Sequence, residues 1–162
     1  MKTRDILDPR RVTLDLKGKD KREILEQLAG MVGETHSAID PERVAEVLVE
    51  RERASSTAIA DGIAIPHGKV AMSEEVVACL GLSGDGLDFD SVDNHPTHIF
   101  FVLISPEAHP SLHLRWLAHL AHLLTEEQFR RELLACTGVD EVMTTISEAE
   151  ARSREAESAI SP

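Results

Sequence analysis

Thr97-His-Ile-Phe-Phe-Val-Leu-Ile104 is the most hydrophobic stretch of the chain. Its length suits a strand, and an apolar run without alternation is the signature of a strand buried on both faces. Ser105-Pro106 ends it, because proline has no N–H for a ladder. A strand covered on both sides needs a layer of structure against each face. The run therefore predicts the middle layer of a three-layer α/β domain.

Working outward, Val76 to Leu82 is a second compact apolar run bounded by glycine, and reads as a neighbouring strand. Ser83-Gly84-Asp85-Gly86 reads as a loop, and Leu87 to Asn94 as an acidic turn. Arg11 to Leu16 alternates at Val12, Leu14 and Leu16, giving a first strand. Lys17 to Asp20 turns it into a helix with a stripe at Ile24, Leu25, Leu28 and Met31, closed by Gly33 to Ser37. Asp40-Pro41 starts a second helix, an Asx cap followed by proline at the first helical position, with Val44, Val47 and Leu48 on its buried face. After the central strand come helices over Ser111–Leu124, Thr125–Ala135, opening on a Thr-x-x-Gln capping pattern, and Val139–Ala151. The expectation is one α/β domain over residues 1–151, a mixed, mostly parallel sheet flanked by helices, with a polar, frayed tail from Arg152 to Pro162.

The 162 residues suffice for one core, and 42% hydrophobic with 28% charged residues is globular composition. A formal net charge of −12 disfavours nucleic acid and anionic lipid as partners. No apolar run approaches the ~20 residues that span a bilayer, and the N-terminus lacks an apolar signal core. Cys79 and Cys136 lack metal-type spacing and read as thiols of a reducing cytoplasm.

Loops at strand ends are where function is expected, and Ala54 to Lys69 holds the most distinctive one. Its apolar run Ile63-Ala64-Ile65 stops at Pro66-His67-Gly68. Proline stiffens the backbone and glycine lets it approach a ligand, so His67 is either displayed for chemistry or sits in an ordinary surface turn. On the preceding helix Arg51 follows the buried stripe, seven residues after Val44; it either escapes to solvent or is aimed at an anion near Ser56 and Thr57. Arg53 is turned towards solvent. Among the eight histidines, His109, His113, His119 and His122 cluster in sequence, but helical periodicity separates them. His113 falls inside the apolar arc of Leu112, Trp116, Leu117, Leu120, Leu123 and Leu124, at a helix N-terminus that favours anions. It is either a core histidine satisfied by carbonyls or a second site residue. His119 and His122 lie on the polar side as surface residues, with no partners spaced for zinc.

Together, Arg51-Glu52, Ser56-Thr57, Gly62-Ile-Ala-Ile-Pro-His-Gly-Lys69 and His113-Leu114 resemble the enzyme IIA domains of the bacterial phosphotransferase system, of the fructose/mannitol type and its nitrogen-regulatory relatives. The resemblance runs from the first strand to Ile146. It implies a phosphoryl relay. His67 would take a phosphoryl group on Nε2 from the phosphohistidine of a small carrier, HPr or its nitrogen-branch counterpart NPr. It would pass the group to a cysteine of a IIB domain, or keep it as a regulatory mark. His113 would be the second active-site imidazole, and Arg51, Ser56, Thr57 and the Gly68 backbone the phosphate cradle. No metal and no cofactor is implied, and the setting would be cytoplasmic. With no IIB, IIC or HPr segment in it, the chain looks more like the nitrogen-regulatory form than a sugar-transport subunit. An alternative is a regulatory binding module whose phosphorylation state controls a kinase, transporter or transcription factor without onward transfer. The chain departs from the family's pattern at Ser55, Ala58 and Ala60, where glycine is usual, and at Asp61, where asparagine is common. Asp61 would place a negative charge near the phosphate. Asp88, Asp90 and Asp93 would attract a basic carrier surface.

Overall fold

The run Thr97–Pro106 is strand β5, and its alternate side chains bury into two separate cores. The computed structural model describes residues 1–71 and 75–161. In chain order a 3₁₀ turn (Thr3–Asp5) precedes β1 (Leu7–Thr13), α1 (Lys21–Thr35), α2 (Pro41–Ala54), β2 (Ile63–Ala64), β3 (His67–Val70) and β4 (Val77–Leu87). After β5 come α3 (Pro110–Leu124), α4 (Glu127–Ala135) and α5 (Val139–Ile160). The sheet order is β1-β4-β5-β2, with β3 also on β5. Among the described strands β4–β5 pair antiparallel and the other named pairs are parallel.

Period-2 alternation assigns the faces. Ile99, Phe101 and Leu103 join Trp116, Leu120, Phe129 and Val142 in a core beneath α3, α4 and α5. Phe100, Val102 and Ile104 join Leu25, Leu28, Val44 and Leu48 beneath α1 and α2. The expected three-layer α/β domain with a mixed, mostly parallel sheet is what forms.

β2 and β3 are one edge strand with a gap. Ile63 pairs Ile99 and His67 pairs Leu103, so the register is the same on both sides of Ile65-Pro66. What the ladder lacks is one donor, since Pro66 has no N–H to give; the Ile65 N–H, on the outer edge of the strand, bonds the Thr57 carbonyl at 3.1 Å. The Pro66 carbonyl still accepts from Leu103 N–H at 3.0 Å. As an edge strand it leaves the N–H and carbonyl of Ile65 facing outward, just before His67, without any shift of the strand.

Several expected boundaries shift, each for a local reason. β1 covers Leu7–Thr13 rather than Arg11–Leu16. Arg11 is buried in it, its guanidinium donating to the Ala78 and Ile6 carbonyls and to Thr35 Oγ1. α1 ends at Thr35, inside the stretch Gly33 to Ser37 expected to close it; Gly33 itself is still helical, and a Cβ there would come within 2.7 Å of Pro41, so the glycine lets α1 and α2 cross closely. Asp40 caps α2 as expected, accepting from Glu42 N–H at 3.0 Å. Ser83–Gly86 is not a loop; β4 runs through it to Leu87, with a bulge against β5 and Gly86 at φ 81°.

Thr125 does not cap α4. Its hydroxyl donates back to the His122 carbonyl at 2.6 Å, and α4 begins at Glu127 without a side-chain cap. The stretch from Arg152 expected to fray continues α5 to Ile160; Pro162 lies outside the described residues. His119 is not a free surface residue either. Its Nε2 lies 2.9 Å from Glu150 Oε1, a buried carboxylate that also takes the N–H (2.7 Å) and hydroxyl of Thr3. His122 remains exposed, 3.3 Å from Ser153 Oγ.

Candidate active site

His67, the first residue of β3, follows Ile63 and Ile65 on the face beneath α3. Ser105 occupies the same face near the end of β5, and α3 then returns His113 over it. The two imidazoles meet, their centroids 5.5 Å apart and their planes inclined at 45°. Arg51 belongs to the opposite layer, near the C-terminus of α2, and reaches His67 because β3 is an edge strand. α2 comes this close because position 68 is glycine: a Cβ there would lie 2.3 Å from Val47 Cγ1.

The hydrogen bonds settle the His67 tautomer. Nδ1 lies 2.7 Å from the Ile65 carbonyl oxygen, which can only accept, so Nδ1 carries the proton. Independently, Arg51 Nε–H donates to Nε2 at 3.2 Å, which requires a lone pair there. Nε2 thus carries the free lone pair of the ring, next to a cation. Burial depresses the His67 pKa below the usual imidazole range, and the charges of Arg51 and Lys69 push the same way; the Ile65 carbonyl only partly offsets them. His113 is buried with Nδ1 2.9 Å from Ser105 Oγ. Burial first, then His67 and Lys69, bring its pKa down to about 4. At neutral pH both rings are neutral, as an attacking imidazole must be.

Ser56 and Thr57 do not point free hydroxyls at His67. Both donate to the carboxylate of Glu52, Ser56 at 2.7 Å and Thr57 at 2.6 Å, with the Thr57 N–H at 2.9 Å and Lys21 Nζ at 2.9 Å. Burial opposes ionisation of Glu52, but the bonds from Thr57, Lys21 and Ser56 outweigh it and hold the carboxyl below its usual range. Glu52 and Ser105 are the residues that reading the sequence missed. Glu52 was signalled: Val44, Leu48 and Glu52 follow at i, i+4, i+8, so the buried stripe of α2 ends on a carboxylate. Ser105 was signalled by the alternation of β5.

Asp61 (φ 67°) directs its carboxylate to Arg130 of α4, at 4.0 Å. Ala58 is fully buried in a bridge to Ala64, an extended conformation that needs no glycine. Asp90 pairs with Lys21 at 3.3 Å, while Asp93 accepts from Ser91 Oγ and His95 N–H. Both carboxylates hold their loop. Among the described residues no group of three or more His, Cys, Asp or Glu is placed to hold a metal.

An imidazole with a lone pair on Nε2, a second neutral imidazole 5.5 Å from it and a guanidinium bonded to the first ring have the chemistry of phosphoryl transfer. Residues 5–149 match the family model described as phosphoenolpyruvate-dependent sugar phosphotransferase system, EIIA 2. The chain belongs to that family. As an EIIA component it is a phosphotransferase, with homologues of both transport and regulatory kind. It is 30% identical over 143 residues to the nitrogen regulatory protein of Bradyrhizobium diazoefficiens, covering 88% of this chain and 93% of that one. It is also 30% identical over 148 residues, 91% of its length, to the fructose-specific EIIABC component of Bacillus subtilis, of which it spans only 23%. The crystal structure of nitrogen regulatory protein IIA-Ntr from Neisseria meningitidis superposes with a TM-score of 0.80 at 27% identity, covering 87% of this EIIA chain and 96% of that one. No helix among the described residues is long and apolar enough to cross a membrane.

Proposed function

We propose that this EIIA protein carries its phosphoryl group on Nε2 of His67, receiving it from the phosphohistidine of a small carrier of the HPr or NPr kind. The observation that carries the reading is the pair of bonds on the His67 ring, Nδ1–H to the Ile65 carbonyl and Nε2 facing Arg51. As the Nε2–P bond forms, the P–N bond of the donor breaks and its electron pair stays on the donor imidazole. His67 becomes a cationic ring whose Nδ1–H is already held by a carbonyl, so no proton moves in the step. The transition state is loose, and its demand is charge stabilisation on the three equatorial oxygens. Arg51 supplies guanidinium N–H groups. In the tautomer in which Ser105 Oγ donates to Nδ1 of His113, the Nε2–H of His113 is left to donate to the same oxygens. The Gly68 backbone lies beside the ring, while Ser56 and Thr57 act on the cradle through the loop they hold.

Onward, a thiolate of a IIB domain would attack phosphorus as the Nε2–P bond breaks, returning neutral His67. The regulatory destination is the second reading, favoured by the match to nitrogen regulatory relatives along nearly their whole length. Incubation with phosphoenolpyruvate, enzyme I and HPr, followed by mass mapping, is expected to place an acid-labile phosphoryl group on His67. His67→Ala should abolish it; label persisting on another histidine overturns the assignment. Label that moves from the protein to added IIB domains selects transport over regulation.

A further inference from the structure

A carboxylate one residue from Arg51 is buried at 6% exposure and saturated by four donors, yet touches neither imidazole. Its bonds lead to His67 by a traceable route. Glu52 Oε2 fixes both the N–H and the hydroxyl of Thr57. The Thr57 carbonyl, at the other side of that residue, accepts from Ile65 N–H at 3.1 Å. The Ile65 carbonyl, on the same residue, accepts from His67 Nδ1–H at 2.7 Å. The Ile65 N–H is available because it faces the outer edge of the sheet, on the side of the Ala58–Ala64 bridge, while the Gly62 and Pro66 carbonyls face β5. A second route runs along α2: Arg51 bonds His67 Nε2 through Nε and the Ser55 carbonyl through Nη1 at 2.8 Å, and Ser55 begins the loop that Glu52 pins through Ser56 and Thr57. The carboxylate is itself anchored from α1 by Lys21, which also pairs with Asp90 after β4.

We infer that Glu52 is a positioning residue for the phosphoryl transfer, fixing the tautomer and angle of the His67 ring through Thr57 and Ile65 and the place of Arg51 through the same loop. A neutral imidazole left to itself divides its proton between two nitrogens; the relay commits it to Nδ1 and keeps Nε2 open. This rests on the proposed role of His67, but its observable does not depend on phosphorylation. A purely structural carboxylate would support folding and leave the ring indifferent.

The test uses the full, unphosphorylated chain labelled with ¹⁵N-histidine, with His67 resonances assigned by their loss in His67→Ala. The wild-type ring at pH 8 is expected to show a protonated Nδ1 and a bare Nε2. Glu52→Gln is expected to shift both resonances towards a tautomer mixture and to lower kcat for carrier-dependent phosphorylation by about 10-fold at unchanged KM. A folded Glu52→Gln with a lower melting temperature but wild-type His67 resonances and kcat overturns the inference. Should that variant fail to fold, Thr57→Val, which removes one of the two Thr57 donors, is expected to move the resonances in the same direction by less; wild-type resonances there overturn it equally. Labelling that maps to another histidine would sink the role of His67, while a tautomer shift in Glu52→Gln would still support the positioning.

Discussion

The protein buries two glutamates in nearly the same manner and for different ends. Glu52 takes the N–H and hydroxyl of Thr57 and the ammonium of Lys21; Glu150 takes the N–H and hydroxyl of Thr3 and Nε2 of His119. In each, burial resists ionisation and the hydrogen bonds overcome it, so both carboxyls lie below their ordinary range. The difference lies in where the chain goes next. From Thr57 it leads through Ile65 to His67, whereas from Thr3 it leads into β1, and Glu150 ties the N-terminal turn to α5. One carboxylate therefore controls a ring, and the other joins two ends of a chain. A buried charge, by itself, does not say which.

The largest effect expected lies on the Glu52 side. Arg51→Lys keeps the charge but loses the fork, and phosphorylation of His67 should slow on the order of 100-fold. The pH dependence sharpens this. Below its folded pKa His67 holds a proton on Nε2 and cannot attack, and that pKa is depressed, so the wild-type rate should hold down past the usual imidazole range. Arg51→Met removes one of the causes of the depression, and its acid limb should move to higher pH. A rate–pH profile in which Arg51→Met and wild type fall together would place the guanidinium away from the ring.

On the Glu150 side the effect should be on stability alone. Glu150→Gln strands the Thr3 N–H and hydroxyl in part, and urea unfolding should show a loss of about 2–3 kcal/mol. Phosphorylation by the carrier at 25 °C should be unchanged. A fall in kcat without unfolding would remove the contrast between the two carboxylates.

Acid should act on the site imidazole before it reaches either carboxylate. Unfolded His113 takes a proton near 6.5, but in the fold it resists until about 4, so between these values the unfolded state binds more protons. Stability should therefore fall as pH drops from 6.5 to 4, by up to about 3 kcal/mol from His113, and His113→Asn should remove that part of the limb, leaving the part due to His67. The carboxylates give way later: their folded pKa values are lowered, so their contribution is whole above the ordinary carboxylate range and is lost only as pH falls beneath it. Urea midpoints across pH 3.5–8 for wild type and His113→Asn check the order.

The sheet was legible because it follows from periodicity, whereas the meeting of His67, His113 and Arg51 was expected from the family resemblance, with each residue's own pattern leaving two readings open. Apolar runs gave β4 and β5, helical spacing placed His113 inward, and Arg51 lay within reach of the buried stripe. What the pattern hid was polar. Glu52 occupies the better-buried position of that stripe, and a carboxylate there looks like an exit to solvent until its four donors are assembled from α1 and the following loop. Gly33 resembled a helix stop because close helix packing and helix ending both call for glycine. His119 looked solvated since its partner, Glu150, lies in a different helix. In each case the deciding contact is remote in sequence, and local spacing carries no trace of it.

The smallest predicted effect asks whether the second imidazole is held as the first is. His67 has a carbonyl on Nδ1, an acceptor that admits one tautomer only; His113 has the Ser105 hydroxyl, which can donate or accept. The hydroxyl is fully buried on β5, so Ser105→Ala leaves His113 Nδ1 without its partner at a cost of about 1 kcal/mol in unfolding free energy. Because the Trp116 and Leu120 core still packs α3, the ring should stay near its place, and phosphorylation should slow only about three-fold, the equivalent of less than 1 kcal/mol in the barrier. A loss as large as that of Arg51→Lys would mean that the His113 tautomer is as decisive as that of His67. An unchanged rate would mean that packing alone aims the ring, and that hydrogen-bonded control of an imidazole belongs in this site to the side that Glu52 governs.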